Sequence, residues 1–417
     1  MILTIKRKMD SIVKIITIVL SLLAISQIIF LGIRLSSCAQ DSNESIIFSN
    51  TFGGKSLEIG FSVQETSDGG YIIVGQTFSY GAGSSDIWLV KTDKYGKKEW
   101  SQTFGGEDFD VGVHVTETSD GGYIIVGFTQ SFDDGERDAW LLKTDNNGEL
   151  QWDKKFGGTG EDYGRYVKEE SDGGYLIEAY LKNKGLVLMK TDNHGNIEWE
   201  KDIENGYYSY QQTSDGGYID IDDNENGVLL RKIDNSSNET WNRLFQIKDY
   251  GHGERVQQTS DGGYIILCWT EYSRRMDEDE DSGPGYVLVN DIWIIKTNKS
   301  GDEEWRKKYG GKGRDIGNSI QQTPDGGYII VGSSSSFTKD KRDDILFIKT
   351  DSYGNTKLPI IKENNDDQIS LWNMSKLMFS ITLLIIIVII YIYDRKIESK
   401  RPSKPNLSQK LEKNVDN

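Results

Sequence analysis

GFSVQETSDGGYIIVGQTFSYGAGSSDIWLVKTDKYGKKEWSQTFGG, running from Gly60 to Gly106, decides the fold, because the chain writes it again from Gly112 to Gly158 as GVHVTETSDGGYIIVGFTQSFDDGERDAWLLKTDNNGELQWDKKFGG. The tetrapeptide DGGY marks every copy, at Asp68, Asp120, Asp172, Asp215, Asp261 and Asp325. Each copy divides into four short segments: G-x-x-V-x-x-T, GYIIVG, D-x-W-L-x-K-T-D, and a stretch ending at W-x-x-x-F-G-G. Their β-branched and aromatic content at this length predicts strands rather than helices. Ser-Asp-Gly-Gly between the first two supplies residues that tolerate positive φ, as a tight hairpin requires. Asp-x-x-Gly between the last two, as in Asp93 to Gly96, suits a type I turn followed by a bulge.

Four short antiparallel strands, repeated six times, predict an all-β, six-bladed β-propeller. The continuous apolar run YIIVG fits a strand covered on both faces by neighbouring blades. The fourth-strand tryptophans Trp100, Trp152, Trp199, Trp241 and Trp305 are expected to wedge between blades. Aligning TFGG at Thr51 with TFGG at Thr103 makes SIIFSNTF, from Ser45 to Phe52, a fourth strand with no three before it. The last copy lacks a fourth strand, so this N-terminal segment is expected to complete blade six; residues 356–361 are a rival that Pro359 makes less able to pair.

TFGG, TSDGGYIIVG and D-x-W-L-x-K-T-D-x-x-G-x-x-x-W resemble the repeats of secreted or surface-anchored archaeal and bacterial β-propeller proteins, a group distantly similar to quinoprotein and kelch-like propellers. The resemblance covers about residues 45 to 358. It implies an extracytoplasmic location and little chemistry, since propellers serve binding, scaffolding and catalysis alike.

The two ends set the expected address. Residues 15–33 carry no charge and follow a basic segment, 1–14; they are long enough for a signal anchor and alternatively read as a signal peptide. Leu35-Ser36-Ser37-Cys38 looks like a bacterial lipobox, with lipidation at Cys38, although Arg34 interrupts its apolar approach. After linkers at 34–44 and 359–376, residues 377–393 form a second apolar stretch, edged by Tyr391 and Tyr393 and followed by a basic tail, 394–417. Bases flank both stretches on the sides away from the repeats, which predicts cytoplasmic termini and a propeller at 45–358 outside the plasma membrane. Sequons at Asn43, Asn235, Asn238, Asn298 and Asn373 are compatible with a glycoprotein.

Composition excludes several classes. With 45 Gly, 5 Pro, 10 Trp and 21 Tyr among 417 residues, the chain is too aromatic for disorder and too glycine-rich for a helical bundle. Net charge is −17, and because both ends are basic the repeats are more acidic still, which argues against nucleic acid as a partner. Cys38 and Cys268 make no disulfide framework, and Cys268, within IILCWT, reads as a core thiol.

Two candidate sites stand out, both on the face carrying the FGG connections and the variable loops between strands two and three. The longest loop, Tyr272 to Val289, holds Tyr272, Arg274, Arg275 and the acidic run Asp277-Glu278-Asp279-Glu280-Asp281; a solvated charge run is the plain alternative to a docking element. An acid also precedes glycine by two residues at Glu58, Asp110, Asp162, Asp249 and Asp315. These could ring the channel mouth for Ca²⁺ or a basic ligand, or each could accept backbone N–H bonds within its own turn. Asp222-x-Asn224-x-Asn226-Gly227 begins like a calcium loop, but Ile233 stands where the bidentate Glu belongs. His114, His194 and His252 occupy non-equivalent positions, and no catalytic motif appears. The expected role is therefore binding or display with an unidentified surface protein or glycan, without catalysis or cofactor. A carbohydrate-active or quinone-dependent enzyme and a surface-coat component are the alternatives, the enzyme requiring polar residues clustered in the channel.

Overall fold

The computed structural model describes residues 46–357, apart from 133–135, 204–210, 249, 276–285 and 339–341. The two apolar stretches, Cys38 and the basic tail lie outside these, and no helix among the described residues is long and apolar enough to cross a membrane. The described residues form six four-stranded antiparallel sheets, the make-up of a six-bladed propeller. Blade one is Glu58–Glu65, Tyr71–Thr77, Asp86–Thr92 and Lys98–Phe104, and the other blades repeat that order. Phe48–Phe52 pairs with Asp344–Thr350, Phe48 opposite Lys349 and Phe52 opposite Ile345, so the N-terminal strand completes the sixth sheet. Thr356, in the rival segment, instead donates its hydroxyl to the Phe48 and Lys349 carbonyls, both at 3.2 Å.

Each DGGY hairpin is locked by a lysine that belongs equally to the repeat. The Thr66 hydroxyl donates to Asp68 Oδ1 at 2.6 Å, and the same oxygen accepts from the Gly70 N–H at 2.9 Å. Lys91, buried on strand three, brings its ammonium to 2.9 Å from Asp68 Oδ2 and 3.0 Å from the Thr92 carbonyl. A Cβ on Gly70 would sit 2.5 Å from that Nζ, so only glycine lets the lysine through. Lys143, Lys190, Lys232, Lys296 and Lys349 make the same contact with Asp120, Asp172, Asp215, Asp261 and Asp325. Burial pushes the Asp68 carboxyl up, but the Thr66 hydroxyl, Lys91 and the Gly70 N–H outweigh it and hold it down to about 2.

Neighbouring blades meet through apolar clusters that join YIIVG of one sheet to strands of the next. The fourth-strand aromatic of one blade lies against the DGGY tyrosine of the next: Trp100 and Tyr123 at 5.9 Å, Trp152 and Tyr175 at 5.8 Å, Trp241 and Tyr264 at 5.8 Å, Trp305 and Tyr328 at 5.9 Å. Phe48 plays this part for Tyr71, at 5.9 Å. The seam between blades three and four departs from the rule. No buried apolar cluster among the described residues spans it; Trp199 is 45% exposed, and Tyr218 is 38% exposed where its five equivalents are nearly buried.

Candidate functional site

Every inner strand with a full repeat carries a β-bulge at one place, two residues before its conserved branched residue. Register shifts between Gly60 and Ser62, Gly112 and His114, and Gly164 and Tyr166. It shifts likewise between Gly253 and Arg255, and between Gly317 and Ser319. A bulge sets two consecutive residues against one on the partner strand, so both can face the same way. Here both face a cavity of about 930 Å³ bordered by all six blades. The pairs are Phe61-Ser62, Val113-His114, Arg165-Tyr166, Glu254-Arg255 and Asn318-Ser319. These are the x-x of G-x-x-V, the variable pair between two constant positions of the inner strand. The repeat thus builds a regular wall and leaves two free choices per blade at its centre.

The free choices gather polar groups from separate blades. His114 lies 4.5 Å from the Tyr166 ring, and the Val167 N–H donates to its Nδ1 at 3.5 Å. Burial, reinforced by the charge of Arg255, holds the His114 imidazole down to about 3, so it is neutral at pH 7 with its proton on Nε2. Arg165 Nη1 is 3.4 Å from Glu178 Oε1. Burial raises the Glu178 carboxyl despite Arg165 and Arg255. It raises Glu254 too, against the charge of Arg255 and an indole N–H from Trp269 at 3.5 Å. At the mouth, His252 stacks on Trp269 with ring centres 4.1 Å apart and its Nδ1 is 2.9 Å from Asp223 Oδ2.

Of the two readings of the acids near this mouth, a cation ring or acceptors of backbone N–H bonds in their own turns, the hydrogen bonds follow the second. Glu58, Asp110, Asp162 and Asp315 are buried. Each accepts the N–H of the second glycine of the Gly-Gly pair that ends the preceding fourth strand, Gly54 at 3.0 Å and Gly106, Gly158 and, after Tyr309, Gly311 at 2.8 Å. Hydroxyls or backbone complete the set: Thr77 on Glu58, Ser131 on Asp110, the Lys182 N–H on Asp162, and Ser334 with Ser336 on Asp315. They bind the connection between blades rather than opening to the channel. Asp249 lies outside the described residues, and Gly251, opposite Thr270, takes the place that Asp315 holds opposite Ser334. No group of three or more His, Cys, Asp or Glu that could hold a metal ion occurs among the described residues.

The long loop is shorter than its spacing suggests. Strands two and three of blade five run on as Tyr264–Arg275 and Tyr286–Thr297, with Tyr272 opposite Val289, Arg274 opposite Val287 and Arg275 opposite Tyr286. The β-branched and aromatic residues at both ends of the stretch extend the ladder. Tyr272 packs inward, its ring 5.4 Å from Lys308 Nζ. Asp277, Glu278, Asp279, Glu280 and Asp281 lie outside the described residues. Asn224 pairs with Gly227, so the calcium-like segment is a two-residue hairpin turn. Cys268 is buried, which pushes its thiol up to about 12 and leaves it unreactive.

No protein-family description matches the sequence, and no curated protein matches it significantly. Among solved structures, the chain is similar to a protein of unknown function from Dyadobacter fermentans, at 12% identity over 73% of this chain and 98% of that one, with a TM-score of 0.43. A protein from Bacteroides caccae gives 11% identity, 73% and 93% coverage and a TM-score of 0.40. A glucose dehydrogenase gives 10%, 72%, 98% and 0.40. Likeness at this level transfers no activity, and the channel has to be read from its own residues.

Proposed function

We propose that this chain is a membrane-anchored binding module, its propeller outside the membrane, which takes its ligand in the central channel and performs no catalysis. The observation that carries the reading is the bulge repeated in five inner strands, which sends paired, blade-specific side chains into one cavity. A spacer or coat protein needs no such variety where its blades converge. A concave site with a few convergent polar groups is the usual form of a ligand pocket. The apolar stretches with their outer bases, and the likeness of the repeats to surface-anchored propellers, support the location.

The test is a screen of the full chain in detergent against glycan and surface-protein arrays, with Val113→Trp to plug the cavity and deletion of 276–285 to remove the acidic loop. Binding lost in the plugged protein and kept in the deletion is expected. Binding lost only with the loop would move the site to blade five. A hydrolytic reading draws on Glu178 and Glu254, two carboxyls raised by burial in one cavity. Turnover of a captured glycan, abolished by Glu254→Gln, would favour it.

A further inference from the structure

The turn between the third and fourth strands is among the most regular parts of the repeat, and two neighbouring blades depart from it. In blades one, two, three and six it reads Asp-x-x-Gly, closed by the glycine N–H on the aspartate carbonyl. Gly96, Gly148, Gly195 and Gly354 there have φ between 72 and 77°. The aspartate Oδ1 accepts two further N–H bonds, as Asp93 does from Tyr95 and Lys97, both at 2.9 Å. In blade four the glycine position holds Ser237, at φ 66°. In blade five the aspartate position holds Asn298. Each change completes an N-x-S sequon, Asn235-Ser236-Ser237 in one blade and Asn298-Lys299-Ser300 in the next.

The two departures are not equivalent. Asn298 does what an aspartate would, its Oδ1 accepting from the Ser300 and Asp302 N–H groups at 2.8 and 3.0 Å. Ser237 works against its turn, because a left-handed φ crowds any residue that has a Cβ. A polar residue offsets that crowding by bonding its side chain locally. The Ser237 hydroxyl makes no hydrogen bond among the described residues; only its N–H holds the turn, on the Asp234 carbonyl at 3.1 Å. A residue held in strain with no local return points to a use beyond the fold. The sequon supplies one, since its hydroxyl belongs two residues after the asparagine.

The amides of the sequons also differ. Asn238 Nδ2 donates to Asp234 Oδ2 at 3.3 Å, and Asn298 Nδ2 to Asp302 Oδ2 at 3.3 Å. Asn235 is exposed, and its one side-chain contact among the described residues is Oδ1 accepting from the Ser236 hydroxyl at 3.4 Å. It borders a groove of about 740 Å³ shared by blades four and five, with Arg243, Lys299 and Ser300 along the same groove. Its Nδ2 is therefore available, next to polar groups able to meet sugar hydroxyls.

Resting on the extracytoplasmic location proposed above, we propose that Asn235 is an N-glycosylation site, that Ser237 stands in place of glycine to serve it, and that the glycan begins in this groove. The donor is a glycosyl pyrophosphate, and the transferase is a separate protein. In the transfer the bond from sugar C1 to the phosphate oxygen breaks, its electron pair leaving with the pyrophosphate. C1 bonds to Asn235 Nδ2, and the amide loses one proton.

The experiment is peptide mass spectrometry on the full chain purified from the membranes of its own cells. Trypsin releases residues 233–243, which hold both Asn235 and Asn238, and electron-transfer fragmentation places the sugar between them. A glycan on Asn235 is expected, with lower occupancy at Asn238 and Asn298. Ser237→Gly restores the residue that the other blades carry, so its urea midpoint should hold or rise while the glycan is lost. Asn235→Gln should lose it too. A bare Asn235, or a glycan that persists on Asn235 in Ser237→Gly, would overturn the proposal. Labelling of intact cells with a membrane-impermeant amine reagent separates the two readings. Labelled propeller lysines with a bare Asn235 would sink the glycosylation alone, whereas protected lysines would sink the location and the glycosylation with it.

Discussion

The seam between blades one and two and the seam between blades three and four are built from the same repeat, yet only the first is complete. At the first, Trp100 meets Tyr123, a buried cluster joins Ile72 and Val74 to Tyr123 and Ile125, and the inner strands are stitched by the Glu117 N–H donating to Gln64 Oε1 at 2.8 Å. The Ser67 N–H and hydroxyl also donate to Glu117, at 2.7 and 2.8 Å. At the second seam the ring pair stands exposed, the first strand of blade four is reduced to Gln211–Gln212, and no equivalent stitch occurs among the described residues. Within blade three and blade four, however, the Asp–Lys clamp is intact. Repetition of a motif therefore secures the blade, while the seam depends on residues that must match across two copies.

The largest effect expected from this difference is in a pair of tryptophan variants. Trp100→Ala should destabilise by roughly 3 kcal/mol, the low end for removing a large ring because Trp100 is half-buried. Trp199→Ala should cost less than about 1 kcal/mol, as an exposed side chain does. Urea unfolding followed by tryptophan fluorescence checks both, and equal losses would show that the two seams are alike.

Acid separates blade from seam in a different way. Asp68, Asp120, Asp215 and Asp261 sit at about 2, below their ordinary 3.8, through hydrogen bonds from threonine, lysine and glycine. A carboxyl depressed in the folded state contributes stability that is present above 3.8 and lost as pH falls through 2. Asp86 and Asp315 are raised, chiefly by burial, so their ionisation costs stability and a mild fall in pH relieves that cost. The urea midpoint should thus hold or rise slightly on mild acidification and drop between about pH 4 and 2. The drop should shrink in Lys91→Met, which removes one clamp; a drop unchanged by that variant would remove the clamp from the explanation.

Most of this architecture is legible in the sequence because its causes are local and repeated. Strand count, the DGG and KTDxxG turns and the closing strand at Phe48–Phe52 all follow from short patterns. The channel was harder to read. Arg165 and Glu178 of blade three lie far in the chain from the adjacent Glu254 and Arg255 of blade five, and only ring geometry brings the two pairs to one cavity. The signal existed, as two variable residues between a constant glycine and a constant branched residue, but nothing local says that a bulge turns both inward. Four carboxylates that looked like a ring are absorbed by the FGG turns instead, since a buried acid takes the nearest N–H groups.

The smallest predicted effect concerns the closing seam, between blades six and one. At four of the other seams the serine before DGG donates its N–H to the last acid or amide of the next inner strand, as Ser67 does to Glu117 and Ser260 to Gln322. Blade six has Pro324 there, which has no N–H to give. Its would-be acceptor, Glu65 Oε2, is buried without a partner, and burial followed by repulsion from Asp325 raises the Glu65 carboxyl. Pro324→Ser restores the donor, worth about 0.5 to 1.5 kcal/mol, but frees the unfolded chain by about 0.4 to 1 kcal/mol. The net change in stability should therefore be within about 0.5 kcal/mol of zero at pH 7. The Glu65 carboxyl, however, should titrate lower in the variant, which carbon-detected NMR of the side chain can follow. An unmoved titration would mean that the orphaned oxygen is satisfied in some other way, and the closing seam would then match its neighbours despite the proline.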